Sequence, residues 1–292
     1  MQALLSYHPE QNSSLQRGKI TTSLQNLPNT EEGLLEECRS RLAREHWRRI
    51  DHYTGVPGQP SEGLYFEVWE RKIRSQHEVV FAFRGTNLKE WADWRSNLRW
   101  FRFLRRTHQK DDQYDVARRE VLKIHKRLRA QPGGDKIKFS TTGHSLGGGL
   151  AQHAFYACLP QMNRTVVFDT SPVTGFMDLP KAQRLKFHQM TYRETFPYYR
   201  VLRVHENGEI LEYIRRFTQT FYREDSMIRA VEVEVEHGGS SINKHSMARL
   251  TRGILMQDLI ADQRLEKLNQ EIKSASLLHD LNAPESAGVV VD

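Results

Sequence analysis

The spacing of apolar residues divides the chain into alternating helix-like and strand-like segments. Leu34, Leu35, Cys38, Leu42 and Ile50 recur at helical intervals, which predicts an amphipathic helix over 31–51. Gly55, Pro57, Gly58 and Pro60 then mark 52–63 as a loop. Dense apolar runs at 64–72 and 77–83, with only 73–76 between them, predict two strands joined as a hairpin. Val116, Val121, Leu122 and Leu128 predict a helix over 111–130, stopped by Gln131-Pro132-Gly133-Gly134. Further strands are predicted at 136–142, 164–168 and 199–205, and a helix at 147–158. At 230–237, Val231, Val233 and Val235 alternate with Glu232, Glu234 and Glu236, the period of a half-buried or edge strand. A helix at 243–264 and an amphipathic piece to about 281 complete the pattern. Strands alternating with helices predict an α/β protein with a mostly parallel central sheet flanked by helices. Residues 1–30 show no period and read as a loose N-terminal arm, 31–281 as a single domain, and 282–292 as a tail.

Composition narrows the class. A chain of 292 residues can bury a sizeable core, and 10% aromatic residues argue against disorder. Cys38 and Cys158 are the only cysteines, too few for a disulfide framework or a cysteine-based metal cluster. The net charge of +7 is uneven: residues 84–129 hold 14 Lys or Arg against 6 Asp or Glu. Such a basic segment suits a partner with phosphates, either lipid headgroups or nucleic acid. No stretch approaches the ~20 apolar residues of a membrane span, and residues 1–16 lack the basic-then-apolar pattern of a secretory signal. The expectation is a cytoplasmic protein that meets membranes only at their surface.

The densest chemical signal is Gly143-His144-Ser145-Leu146-Gly147-Gly148-Gly149, with a predicted strand before it and a helix after it. That is G-x-S-x-G in the strand–turn–helix context its mechanism needs. The sharp turn lifts the Ser145 hydroxyl above the sheet, and the helix start offers the Leu146 amide as one oxyanion donor. A serine nucleophile needs a histidine base and an acid to orient it, in the chain order serine, acid, histidine. The downstream histidines are His153, His188, His205, His237, His245 and His279. His245 follows the last strand by a loop and opens a helix, which suits a loop-borne base, with His237 next. The carboxylates to weigh are Asp169, Asp178, Glu206 and Glu209, with Glu209 just past one strand and Asp169 at the end of another.

Three stretches together resemble the class 3 lipase family of α/β-hydrolases. They are Val79 to Thr86 with Glu90-Trp91-Ala92-Asp93-Trp94, then Thr142 to Ala151, then Val166 to Gly175 with its Ser171-Pro172. The resemblance spans roughly 64–250. It implies an α/β-hydrolase fold, with Ser145 as nucleophile, His245 as base, Glu209 at the acid position, and Thr86 completing the oxyanion hole with Leu146. The family has Asp where this chain has Glu209, so Asp169 stays an alternative acid. The family's His-x-Gly-Phe is also replaced, by Asp112-Gln113-Tyr114.

Such lipases carry a lid after the position of Thr86, which implies a basic aromatic lid-like insertion at 87–110. Here Trp91, Trp94, Trp100, Phe101, Phe103 and Leu104 interleave with Arg95, Arg99, Arg102, Arg105 and Arg106. Rings at headgroup level and cations on phosphates suit a helix lying on an anionic bilayer. Trp94, Trp100, Phe101, Phe103, Arg102, Arg105 and Arg106 are therefore the expected membrane and substrate contacts. The implied activity is a serine esterase on acyl lipids, with phospholipids favoured by the basic segment. It needs no cofactor or metal and no nucleic acid. Bacterial phospholipase effectors have similar elbows, and an effector would add an inhibitory immunity protein as partner. The competing readings are an inactive hydrolase fold that binds anionic surfaces or nucleic acid, and a soluble small-ester esterase.

Overall fold

Among the described residues, seven strands join into one sheet whose spatial order is their sequence order. They are β1 (Trp47–Thr54), β2 (Tyr65–Ile73), β3 (Gln76–Phe83), β4 (Ile137–His144), β5 (Met162–Phe168), β6 (Val201–Glu206) and β7 (Arg229–Val233). The computed structural model describes residues 1–7, 26–59, 61–85, 112–176, 179–191, 200–209, 211–212, 229–233, 244–262 and 264. The pairs β1–β2 and β2–β3 are antiparallel, and every pair from β3 to β7 is parallel. The sheet is thus mostly parallel and flanked by helices: α1 (Gln2–Leu5), α2 (Glu31–Arg44), α3 (Gln113–Arg129), α4 (Leu146–Ala157), α5 (Lys181–Thr191) and α6 (247–262).

The strand order dictates where the helices go. From β3 to β6 each new parallel strand is added on the same side of its predecessor. Right-handed crossovers then place all the connecting helices on one face. Accordingly α3, α4 and α5 share one core with the sheet, where Phe66, Val68, Phe81 and Phe139 meet Val121, Leu128, Phe155 and Phe187. The opposite face cannot be covered by those crossovers. It is covered by the two ends of the described chain: Leu4, Leu5, Leu34, Cys38 and Leu42 from α1 and α2, and Met247, Leu255 and Leu259 from α6, close over Trp69 and Ala82.

Three elements differ from expectation. The helix expected over 31–51 starts on a Thr30 cap, whose hydroxyl accepts from Gly33 N, and ends at Arg44. His46 takes φ 60°, and Ile50 lies on β1. That strand is polar because arginine–glutamate pairs line its border with β2: Arg49 to Glu67 at 2.8 Å and Arg48 to Glu70 at 2.5 Å. Helix α5 was not expected at all. The loose arm expected at 1–30 does not describe its first seven residues, since Ala3, Leu4 and Leu5 are buried. The lid-like segment 87–110, the strand residues 234–237 and the tail 282–292 lie outside the described residues.

Because Leu4 is packed on all sides, Leu4→Ala is expected to cost about 2–4 kcal/mol of stability in urea unfolding. A change within about 0.5 kcal/mol, usual for a surface position, would mean the segment is an arm after all.

Candidate active site

The parallel register brings the carboxyl ends of four strands level. Phe83 stands beside Gly143, His144 beside Phe168, and Phe168 beside Val204. The chain therefore leaves β3 into Gly85, β4 into Ser145, β5 into Asp169, and β6 into the turn that carries Glu209. In open α/β sheets this edge is where ligands bind.

Ser145 links β4 to α4 with φ 57° and ψ −125°, a conformation an L-residue adopts only under constraint. Its amide donates to the Phe168 carbonyl at 3.1 Å. Its own carbonyl accepts from Gly148 N at 3.0 Å and from Ser171 N at 2.9 Å. The turn closes this tightly because a side chain is missing on either side of it: a Cβ on Gly143 would stand 2.3 Å from the Gly147 carbonyl oxygen. Leu146 is the first residue of α4, so its amide is among the four at the helix start without an intrahelical partner, at the positive end of the helix dipole.

A polypeptide segment 100 residues downstream supplies the imidazole. His245 Nε2 is 2.9 Å from Ser145 Oγ, and His245 Nδ1 is 2.7 Å from Glu209 Oε2. Ser145, His245 and Glu209 are buried at 3%, 2% and 0% exposure. The Leu211 amide donates to Glu209 Oε2 at 2.8 Å. Lys244 Nζ donates to the Asn207 carbonyl at 3.0 Å, tying the turn that carries Glu209 to the loop that carries His245. A carboxylate on Nδ1 assigns the ring proton there and leaves the Nε2 lone pair to accept from the serine hydroxyl.

The other candidates fall elsewhere. Asp169 is fully buried with φ 38°, and its Oδ1 accepts from Glu206 N at 2.8 Å. Glu206 pairs with Arg249 at 2.9 Å. Of these three carboxylates it is Glu209 that meets the Nδ1 of His245. His153 lies edge-on to Tyr114, His188 packs beside Phe176, and His205 lies on β6. Thr86, Trp94, Trp100, Phe101, Arg102, Phe103, Arg105, Arg106, Asp178, His237 and His279 lie outside the described residues. Gly85, the residue before Thr86, is against Ser145: a Cβ there would be 3.2 Å from Ser145 Cβ.

His144, Asp169 and His245 cluster with donor atoms within 4.8 Å of one another. Both nitrogens of His245 are already engaged, so an ion there would compete with the serine and the carboxylate. Sequence reasoning passed over Tyr7, whose hydroxyl is 2.9 Å from His144 Nδ1. A lone tyrosine in a segment with no period carries no signal that could have found it.

The site thus defines a buried hydroxyl, imidazole and carboxylate in a hydrogen-bonded row, at the carboxyl edge of a mostly parallel sheet. Residues 35–168 match the family model described as the Tle-like phospholipase domain. The matched stretch contains Ser145 and stops short of Glu209 and His245. No curated protein matches the chain. Among the described residues no helix is long and apolar enough to cross a membrane.

Burial also sets a pH dependence. It pushes the His153 imidazole down to about 4, against a small opposing pull from Asp115. The unfolded chain binds that proton at about 6.5, so between those values it takes up more protons than the folded one, and stability falls as pH drops. Unfolding at pH 7 and pH 5 should show His153→Gln losing about 2 kcal/mol less than wild type. Equal losses would mean that His153 does not contribute to the acid sensitivity.

Proposed function

We propose that this protein is a serine esterase of the α/β-hydrolase class, related to the class 3 lipases, that cleaves acyl ester bonds of lipids, phospholipids above all. The observation that carries the reading is the unbroken row Glu209–His245–Ser145, with contacts of 2.7 and 2.9 Å, ending on a serine held in a strained turn. The phospholipase-domain match over 35–168 supports the lipid ester, and the basic aromatic composition of 87–110 supports an anionic surface.

The chemistry follows from the geometry. Ser145 Oγ attacks the ester carbonyl carbon while its proton passes to His245 Nε2. The carbonyl π-electrons move onto oxygen, and the Leu146 amide, with Thr86 as its expected partner, stabilises that charge. Glu209, accepting from Nδ1–H, stabilises the imidazolium and keeps the ring in the productive tautomer. Collapse of the tetrahedral intermediate breaks the ester C–O bond, and the leaving alcohol takes the proton from Nε2. Water repeats the sequence on the acyl-serine, giving up one proton to His245, and the free acid leaves as Ser145 is reprotonated. Burial of all three side chains strengthens each charge interaction relative to water.

Hydrolysis of anionic phospholipid vesicles, read by mass spectrometry of released fatty acid, tests the reading. Wild type should release acid and Ser145→Ala should not. Glu209→Gln, which favours the wrong tautomer, should lower kcat by about 10⁴-fold. Release unaffected by Ser145→Ala would overturn the mechanism. Turnover of soluble esters but not of vesicles would leave an esterase and overturn the lipid assignment.

A further inference from the structure

We propose that Tyr7 and His144 form a positioning pair that holds the His245 ring from behind, so that a residue of the N-terminal segment acts on the base. The inference rests on the reading of Ser145, His245 and Glu209 given above. It goes beyond it, because Tyr7 lies outside the stretch that matches the phospholipase family model.

Helix α1 ends at Leu5, and two residues later the Tyr7 hydroxyl reaches His144 Nδ1 at 2.9 Å. The two rings meet edge to face, with centroids 6.0 Å apart. The His144 ring in turn lies 4.8 Å from the His245 ring, at 38° between planes. The three rings therefore form a continuous row of ring contacts from the N-terminal segment to His245. The phenol fits only because residue 85 lacks a side chain: a Cβ there would stand 2.4 Å from Tyr7 Oη and 2.5 Å from the His144 carbonyl oxygen.

The protonation states follow from the surroundings. Burial pushes the Tyr7 phenol up, so it keeps its proton. Burial, and then the neighbouring His245, hold His144 well below the usual imidazole range, so it stays neutral. The Gly85 backbone amide favours negative charge on the Tyr7 oxygen, as a donor to that oxygen does. The phenol then donates its single proton to Nδ1, and the His144 proton sits on Nε2. The charged or titratable groups around this pair are Arg84 from the end of β3, Asp169 after β5, and His245.

A neutral His144 matters because His245 becomes positive in the transition state. A second positive imidazole packed against it would oppose that step. The Tyr7 hydroxyl occupies the one lone pair through which His144 could gain a proton, so the pair fixes both the orientation of His245 and the charge beside it. Tyr7 and His144 touch no reacting atom. Their effect passes through His245.

Steady-state hydrolysis of a soluble p-nitrophenyl ester tests the pair. Tyr7→Phe should lower kcat about tenfold with KM within twofold, and the loss should be larger at pH 6 than at pH 8. Tyr7→Phe added to His144→Gln should cost little more than His144→Gln alone, since the two act as a unit. Leu42→Ala removes a buried side chain of α2 from the same core and leaves Tyr7, His144 and His245 unsubstituted, and should lower stability while keeping kcat within twofold. Should Tyr7→Phe fail to fold, His144→Gln alone carries the same test of kcat against KM. Wild-type kcat in Tyr7→Phe at both pH values, or a parallel kcat loss in Leu42→Ala, would overturn the pair while wild-type turnover above Ser145→Ala keeps the esterase reading intact. Wild type no faster than Ser145→Ala overturns both.

Discussion

The arrangement depends on a backbone conformation that Ser145 would not choose for itself. A residue with a side chain at φ 57° and ψ −125° costs on the order of 1–3 kcal/mol, and it persists only where the surroundings over-determine it. Here three backbone hydrogen bonds, from Ser145 N to Phe168 O and to Ser145 O from Gly148 N and Ser171 N, pin the turn between β4, β5 and α4. Absent side chains at 143 and 147 let the strand end and the helix start touch. The result is a hydroxyl presented at the sheet edge with a helix N-terminus beneath it. Relaxing the turn would move that hydroxyl away from His245 and remove the reason for the rest of the site.

One-sided winding of the parallel strands explains why the site is assembled from distant parts of the sequence. With α3, α4 and α5 all on one face, the other face must be closed by whatever precedes β1 and follows β7. Helices α1 and α6 therefore carry out two tasks. They bury the second core, and they bring Tyr7 and His245 toward Ser145 from opposite sides of the sheet's sequence. The turn after β6 that carries Glu209 is tied to the loop that carries His245 by Lys244.

What could be read in the sequence follows from the range of the interactions that determine it. The strand–turn–helix at 137–157 was legible because apolar runs and glycine spacing are local features of one segment. His245 and Glu209 were legible as positions after strands, with the resemblance to class 3 lipases selecting Glu209 from four carboxylates. Only coordinates show which carboxylate meets Nδ1, since Asp169 and Glu209 differ in what lies across space and not in their neighbours along the chain. Strand β1 has no strand signature in the sequence because its partners are charges on β2, which leave no apolar alternation in Trp47–Thr54. Ala3-Leu4-Leu5 is too short to show any period, so its burial could not be read from pattern. The basic aromatic segment at 87–110, the most suggestive composition in the chain, lies outside the described residues.

The central claim is that Ser145 is a nucleophile activated by His245. Incubation with a fluorophosphonate, followed by peptide mass spectrometry, tests it most directly. The account predicts one covalent adduct, on Ser145, formed rapidly by wild type and slowed by several orders of magnitude in His245→Ala. An adduct on another residue, or labelling of Ser145 that is as fast without His245, would contradict it.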